Sequence, residues 1–305
     1  MGTPQAAVPS LSKLIEDGHE IVAVYSQPDR PAGRGNKIVS SPVKQFALAE
    51  GIAVLQPTKI RTQEALEEFR SFQADLAVVV AYGRILPETF LGAFPHGAVN
   101  VHFSLLPKYR GAAPVNWAIV NGETVTGVTT MKMDTGLDTG DVLLQRESNI
   151  GPEETSIELM ERLSIIGAEL LSETLAEFAQ IKPLKQDDSV ASLAPIMKKE
   201  DGLFKWEMPA DQIARRVRGF QPFPTTYCYL DGKKLTLWKC TVADEREEAL
   251  NAGTIIEAHG EELIVQCGDE QALRIHEIQL EGKRRMSTRD FLNGMKFNEG
   301  EKLTS

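Results

Sequence analysis

The chain has 305 residues, 42% hydrophobic, 25% charged and 7% aromatic, an ordinary globular composition that sets aside disorder and fibrous repeats and suggests two domains, or one α/β domain with an appendage. Its 43 acidic residues outnumber 33 basic ones for a formal charge of −10, so a polyanion has to be held by local basic patches and not by the overall field. Cys228, Cys240 and Cys267, without a C-x-x-C spacing, offer neither a disulfide framework nor a zinc site and point to a reducing compartment. Met1 to Ser10 lack a basic segment followed by an apolar run, and no stretch approaches about 18 uninterrupted apolar residues, so neither secretion nor membrane spanning is expected.

Ala7, Val8, Leu11, Leu14 and Ile15 recur at helical spacing and stop at Gly18, after which Glu20 to Tyr25 reads as a strand. Ser41-Pro42 opens a helix that closes at Gly51; a short strand at Ala53 to Leu55, a helix over Thr62 to Phe72 and the buried run Leu76 to Val80 follow. Ala98 to His102, Val128 to Met133 and Val142 to Gln145 supply later strands, and Ser156 to Phe178 forms a long amphipathic helix. Such alternation predicts a doubly wound, mostly parallel α/β sheet, Rossmann-like, over residues 1–181.

Residues 182–204, with prolines, mixed charge and no sustained period, read as a linker. Residues 205–305 then show a short helix around Ala210 to Val217 and alternating strands at Thr226 to Leu230, Lys234 to Cys240, Gly253 to Glu257, Leu263 to Cys267 and Leu273 to Leu280. Asp231-Gly232 between the first two is a hairpin signal, and the set fits a small β-barrel of the oligonucleotide-binding type. One feature breaks the pattern. A doubly wound sheet normally opens with a strand that feeds a turn and the first helix, yet the turn Gly2-Thr3-Pro4 follows Met1 directly, so a first strand is expected to be missing and the natural start to lie upstream.

Three polar clusters stand out. Asn100 and His102, two apart on a predicted strand, project from the same face at its carboxyl end, where open α/β sheets place ligands. An amide donor beside an imidazole suits oxyanion stabilisation with nearby proton transfer, although an isolated Asn-x-His is more often a strand-end cap. The turn Met133 to Asp141 carries Asp134, Asp138 and Asp141; without a suitably spaced Glu it is no EF-hand, and such aspartates are commonly local caps. Asp138 gains interest if the fold brings it to His102. From Arg30 to Ala49 there are four basic residues, Arg30, Arg34, Lys37 and Lys44, and no acidic one, a loop able to grip phosphates or simply a solvated face. The tail from 205 onwards is nearly balanced, with 15 basic and 17 acidic residues, and groups Arg215, Arg216 and Arg218, and again Lys283, Arg284, Arg285 and Arg289.

The stretch Asn100 to Gln145, with its Asn-x-His, the Ser-Leu-Leu-Pro loop at Ser104, Leu105, Leu106 and Pro107, and the Asp-x-Gly turn, resembles the core of the folate-dependent formyltransferases. QPDRPAGRGNK from Gln27, VVVAYGRILP from Val78 to Pro87 and GFQPFPTTY from Gly219 to Tyr227 are similar to the members of that family that formylate methionyl-tRNA, and the likeness runs from Gly2 nearly to the C-terminus. The resemblance implies that the α-amino group of initiator methionyl-tRNA attacks the formyl carbon of 10-formyltetrahydrofolate. Asn100 and protonated His102 would stabilise the oxyanion, and Asp138 would orient the imidazole and relay protons. It further implies that Ser104 to Pro107 and Arg84, Ile85 and Leu86 hold the folate, that Arg30, Arg34, Lys37 and Lys44 hold the tRNA acceptor end, and that the barrel takes RNA farther down through phosphates. No metal and no second subunit are called for, and the implied location is the bacterial cytoplasm.

Lys132 departs from the family pattern, which generally has an aromatic residue, Val or Gln there. The motifs leave alternatives open. Asn116-Trp117 and Asn121 to Thr124 also resemble formyltransferases that act on a small amine such as a nucleotide-linked amino sugar, and the same trio can hydrolyse the formyl donor. A chain that lacks a central strand could also serve as a non-catalytic RNA-binding module.

Overall fold

The computed structural model describes residues 1–32, 37–243, 250–268, 270–297 and 300–303. A 3-10 turn leads into α1 (Val8–Glu16), which buries Leu11 and Leu14 and ends at Gly18, φ +82°, with the Gly18 N–H on the Ile15 carbonyl. β1 (Val24–Tyr25) follows, and the basic loop then contains a feature the residue pattern did not signal, an antiparallel hairpin of β2 (Arg30–Ala32) and β3 (Lys37–Val39). α2 (Pro42–Ala49) starts where Pro42 pre-sets the backbone and the Ser41 hydroxyl accepts the Lys44 N–H. β4 (Val54–Leu55), α3 (Gln63–Ser71, capped by the Thr62 hydroxyl), β5 (Ala77–Val79), α4 (Glu88–Leu91) and β6 (Ala98–His102) complete the first half. Then come β7 (Arg110–Gly111), α5 (Pro114–Val120), β8 (Val125–Lys132), β9 (Val142–Asn149), α6 (Ser156–Ala176) and β10 (Leu193–Ala194).

β1 pairs parallel with β4 and β5 parallel with β6, whereas β8 runs antiparallel to both β6 and β9, so the sheet is mixed, parallel up to β6 and antiparallel beyond. Residues 1 and 2 stand where the order calls for a first strand. The Gly2 N–H donates to the Tyr25 carbonyl at 2.9 Å, the Val80 N–H to the Met1 carbonyl at 2.9 Å, and the Met1 ammonium to the Val78 carbonyl at 2.7 Å. They thereby join the β1-β4 pair to the four-stranded piece β5-β6-β8-β9. A Cβ on Gly2 would lie 2.8 Å from that of Ala7 and 2.9 Å from the Val80 oxygen, so this crossing requires glycine. Beside it is a cavity of about 340 Å³ lined by Met1, Ser10, Ile21, Ala23, Leu76 and Val78 among others. Of the expected strand Glu20 to Tyr25, the ladder takes in Val24 and Tyr25, where Val54 and Leu55 lie alongside.

The C-terminal part has α7 (Ala210–Gly219), β11 (Thr226–Leu230), β12 (Lys233–Ala243), β13 (Ile255–His259), β14 (Glu262–Gln266), β15 (Ala272–Leu280), β16 (Met286–Ser287) and α8 (Thr288–Gly294). The strands form an antiparallel sheet in the order β11-β12-β15-β14-β13, with β16 on β15, the strand content of a small barrel. Asp231 and Gly232 both take positive φ, +49° and +73°, as a tight hairpin turn demands. Phe204, Trp206, Ile213, Leu235, Leu273 and Ile275 are core members exposed by 1% or less. All three cysteines are buried here and none is joined in a disulfide; burial pushes the Cys228 thiol up to about 12 and raises that of Cys240 as well, so they serve as small apolar residues.

The chain divides into two compact units, one of Met1–Pro114, Val125–Asn149 and Leu159–Pro195, the other of Val115–Thr124, Ile150–Glu158 and Ile196–Ser305. The second therefore takes in most of α5 and the segment leading into α6. Within it the Asn116 amide donates to the Gly219 carbonyl at 2.7 Å and the Ser156 hydroxyl to the Gln221 carbonyl at 2.7 Å. Among the described residues no helix is long and apolar enough to cross a membrane.

Candidate active site

β6 is buried on both faces for most of its length and delivers Asn100 and His102 to one side at its carboxyl end. The Asn100 Nδ2 donates to the Val79 carbonyl of the neighbouring strand at 3.1 Å, which fixes which end of the amide faces which way. Its Oδ1 is buried without a partner, and such an orphaned acceptor is costly unless something else reaches it.

His102 is 6% exposed, and its Nε2 lies 2.9 Å from the Tyr109 carbonyl. A carbonyl only accepts, so the proton sits on Nε2 and Nδ1 is the basic nitrogen. Nδ1 faces the Asp138 Oδ2 at 3.7 Å, beyond direct hydrogen bonding. The same Oδ2 accepts the Gly111 N–H at 2.8 Å. The fold thus joins the two clusters that sequence spacing left separate.

Three residues around the imidazole have positive φ: Tyr109 at +61°, Gly111 at +125° and Asp138 at +54°. Backbone held in this region costs energy and persists where the surroundings over-determine it. At Gly111 a Cβ would also meet the Ala194 oxygen at 2.6 Å, because β7 pairs with β10 there. Asp134, by contrast, caps its own turn, accepting from the Gly136 N–H at 2.9 Å and the Thr139 hydroxyl at 2.8 Å. Lys132 ends β8 with an exposed side chain that passes beside Gly97.

The loop from Ser104 to Pro107 is pinned from below. The buried Thr129 hydroxyl donates to the Ser104 carbonyl at 2.7 Å and accepts the Leu106 N–H at 3.1 Å, while the Gln145 amide donates to the Leu106 carbonyl at 2.8 Å. The Ser104 hydroxyl is fully buried and donates to the Lys108 carbonyl at 2.6 Å, so it shapes the loop from inside. Leu106 is buried too. Arg84 is held by the Gln27 Oε1 at 3.2 Å and the Thr58 carbonyl at 3.0 Å; beyond it Ile85 is 56% exposed and Leu86 buried.

Of the basic loop, Arg30 is exposed at the start of β2, and Lys37 opens β3. Arg34 lies outside the described residues. The Lys44 ammonium is turned inward, 2.7 Å from both the Asp29 carboxylate and the Gln56 amide oxygen. Hydrogen bonds from Gln56 and then Lys44 hold the Asp29 carboxyl below its usual range. Among the described residues no three His, Cys, Asp or Glu side chains gather as a metal set would.

Residue patterning missed Tyr109, Gly111, Thr129 and Gln145, which act through main-chain groups or as buried braces, and also Arg110 and Gln186. Gln186 falls in the stretch read as a linker, where nothing periodic marks it.

Known proteins resemble the chain over nearly its whole length. Residues 1–175 match the formyl transferase family model and residues 196–296 the model of the formyl transferase C-terminal domain. Methionyl-tRNA formyltransferases of Geobacter metallireducens and Geobacter sulfurreducens are each 50% identical to 99% of the chain, which spans 97% and 95% of their lengths. Among solved structures, the sugar 3N-formyl transferase WlaRD, studied with dTDP and 5-N-formyl-THF, superposes with a TM-score of 0.67 at 20% identity over 93% of this chain and 97% of its own. An N-formyltransferase from Helicobacter canadensis gives a TM-score of 0.65 at 19% identity over 90% and 96%. The solved structures share the fold; the half-identical relatives narrow it further, and the chain belongs to the formyl transferase family, in its methionyl-tRNA formyltransferase branch.

Proposed function

We propose that the chain transfers a formyl group from 10-formyltetrahydrofolate to the α-amino group of initiator methionyl-tRNA in the bacterial cytoplasm, with Asn100, His102 and Asp138 around the reacting atoms. The observation that carries this reading is their convergence at the carboxyl end of β6, with the Asn100 Oδ1 buried and unmatched and the basic Nδ1 of His102 facing a carboxylate. An orphaned acceptor beside a free amide hydrogen fits a ligand with both donors and acceptors, as a reduced folate has. When bound, the folate supplies an activated one-carbon unit.

Asn100 has two amide hydrogens and gives one to Val79, which leaves the other for the formyl oxygen as negative charge develops there. His102, its tautomer set by Tyr109, receives on Nδ1 the proton lost by the attacking amine. Asp138 steadies the imidazolium and is itself anchored by the Gly111 N–H. The new N–C bond forms at the amine as the bond to the folate nitrogen breaks, and the proton passed through His102 and water restores that nitrogen.

In this reading Ser104 to Pro107 and Arg84 to Leu86 hold the folate, with the Ser104 hydroxyl acting through loop shape. Residues 1–181 carry the chemistry, residues 205–305 bind RNA across a linker at 182–204, and Arg30, exposed on β2, faces the acceptor end. A monomer suffices. Purified chain is tested with 10-formyltetrahydrofolate and either methionyl-tRNA or a dTDP-linked amino sugar. Formylation of methionyl-tRNA is the expected result; turnover of the sugar with none of the tRNA overturns the reading.

A further inference from the structure

The segment that precedes β10 lies against the back of the Asp138 turn. Gln186 is 7% exposed, and its amide uses all of its strong bonding capacity: Nε2 donates to the Asp138 carbonyl at 2.9 Å and the Gly140 carbonyl at 2.6 Å, while Oε1 accepts from Arg110 Nε at 3.0 Å and Nη2 at 2.9 Å. Arg110, itself 7% exposed, also pairs with the Asp188 carboxylate at 2.8 Å. An arginine offers donors alone and two carbonyls offer acceptors alone, so this place calls for a neutral amide with one end of each kind.

The strip that follows holds the other two anchors of the site. The Arg110 N–H donates to the Ser192 carbonyl, the Tyr109 N–H to the Ser192 hydroxyl, and the Ala112 N–H to the Ala194 carbonyl, each at 2.9 Å. The Tyr109 carbonyl that sets the His102 tautomer and the Gly111 N–H that holds the Asp138 carboxylate therefore both sit on backbone zipped to residues 192–194.

We infer that Gln186 is a positioning residue for formyl transfer: clasped by Arg110, it fixes the strained main chain of Asp138 and so keeps the carboxylate in register with His102. The stretch between the two matched family regions is thereby part of the active-site framework as well as a connector. This rests on the proposed roles of His102 and Asp138, and not on which amine is the acceptor. Among the described residues, the charged groups around the pair include Asp138 itself, Arg110 and, through Arg110, Asp188.

Gln186→Glu keeps the Arg110 partner but sets a carboxylate against two carbonyls, and Gln186→Met removes every bond at nearly constant volume. A misplacement of reacting groups by about an ångström can cost on the order of a hundredfold in rate. The expected result for both variants, per folded molecule, is a kcat lower by about ten- to a hundredfold, KM values for donor and acceptor within about twofold of the parent, and a displaced pH profile of kcat. Thermal melting of each variant corrects for any loss of folded enzyme. A parental kcat and pH profile in Gln186→Glu, or a rate loss that tracks the unfolded fraction with the profile unmoved, overturns the inference. Should the parent chain prove to formylate a small amine, the same measurements made with that amine test Gln186 unchanged.

Discussion

The two halves of the chain use the same unusual backbone conformation to opposite ends. In the C-terminal β domain, the positive φ values of Asp231, Gly232 and Gly260 lie in exposed turns that let a continuous antiparallel sheet fold back on itself. In the N-terminal part, apart from turn and cap positions such as Gly18, positive φ occurs at Tyr109, Gly111 and Asp138, which present a carbonyl, an N–H and a carboxylate around the His102 imidazole. The C-terminal sheet covers a core of apolar side chains; the N-terminal sheet is interrupted, and at its strand ends it keeps polar groups buried. The conformation costs little in the first region because glycine lacks the Cβ that clashes there and Asp tolerates such turns, whereas at Tyr109 and Asp138 it is held in place by the surrounding hydrogen bonds.

Removing the chemistry should leave the fold standing. His102→Ala or Asn100→Ala is expected to lower kcat by about 10²–10³, the usual worth of a general base or an oxyanion donor, with folate binding largely kept. Single-turnover formylation and equilibrium folate titration measure the two; full activity in either variant removes that residue from the reacting set.

The complementary substitution breaks the C-terminal half. Leu273 is fully buried in the apolar core, and Leu273→Ala is expected to cost about 2–5 kcal/mol of stability through lost burial and the cavity left behind. Activity per folded molecule at low temperature should stay at the parental value. Urea unfolding followed beside kcat checks both, and a chemical defect that exceeds the folding defect would erase the contrast drawn between the halves.

How much of this was legible in the residues follows the same division. The C-terminal strands and the Asp231-Gly232 turn were readable because alternation and turn chemistry are local, and β6 was read to the residue because it is an apolar run bounded by polar ends. The Glu20 to Tyr25 strand was overread, since a ladder needs a neighbour and β4 offers one only at Val54 and Leu55. β7, β10 and the Gln186 clasp were invisible: their partners are about 50 to 80 residues apart in sequence, and their hydrogen bonds are made by main chain or by one amide. His102 and Asp138 were identified by family pattern, and their approach to 3.7 Å belongs to the fold alone.

The smallest effects separate two cations that charge counting treated alike. Arg30 is exposed on β2, whereas the Lys44 ammonium is spent on Asp29 and Gln56 at the base of the hairpin. A phosphate contact releases condensed counterions, so losing one reduces the slope of log affinity against log salt by about 0.7–0.9. Arg30→Ala is therefore expected to raise KM for methionyl-tRNA by about three- to tenfold at low salt, with a shallower salt dependence and an unchanged kcat. Lys44→Ala should leave the salt slope as it is and change KM by less than about twofold, because an ammonium already neutralised by a carboxylate has little field left for RNA. If the two variants lose the same salt slope, Lys44 has to leave Asp29 when RNA arrives, and the hairpin base rearranges on binding. If Arg30→Ala alone loses it, the inward turn of Lys44 is structural, and the cations of this loop divide into one that supports the hairpin and others that meet the substrate.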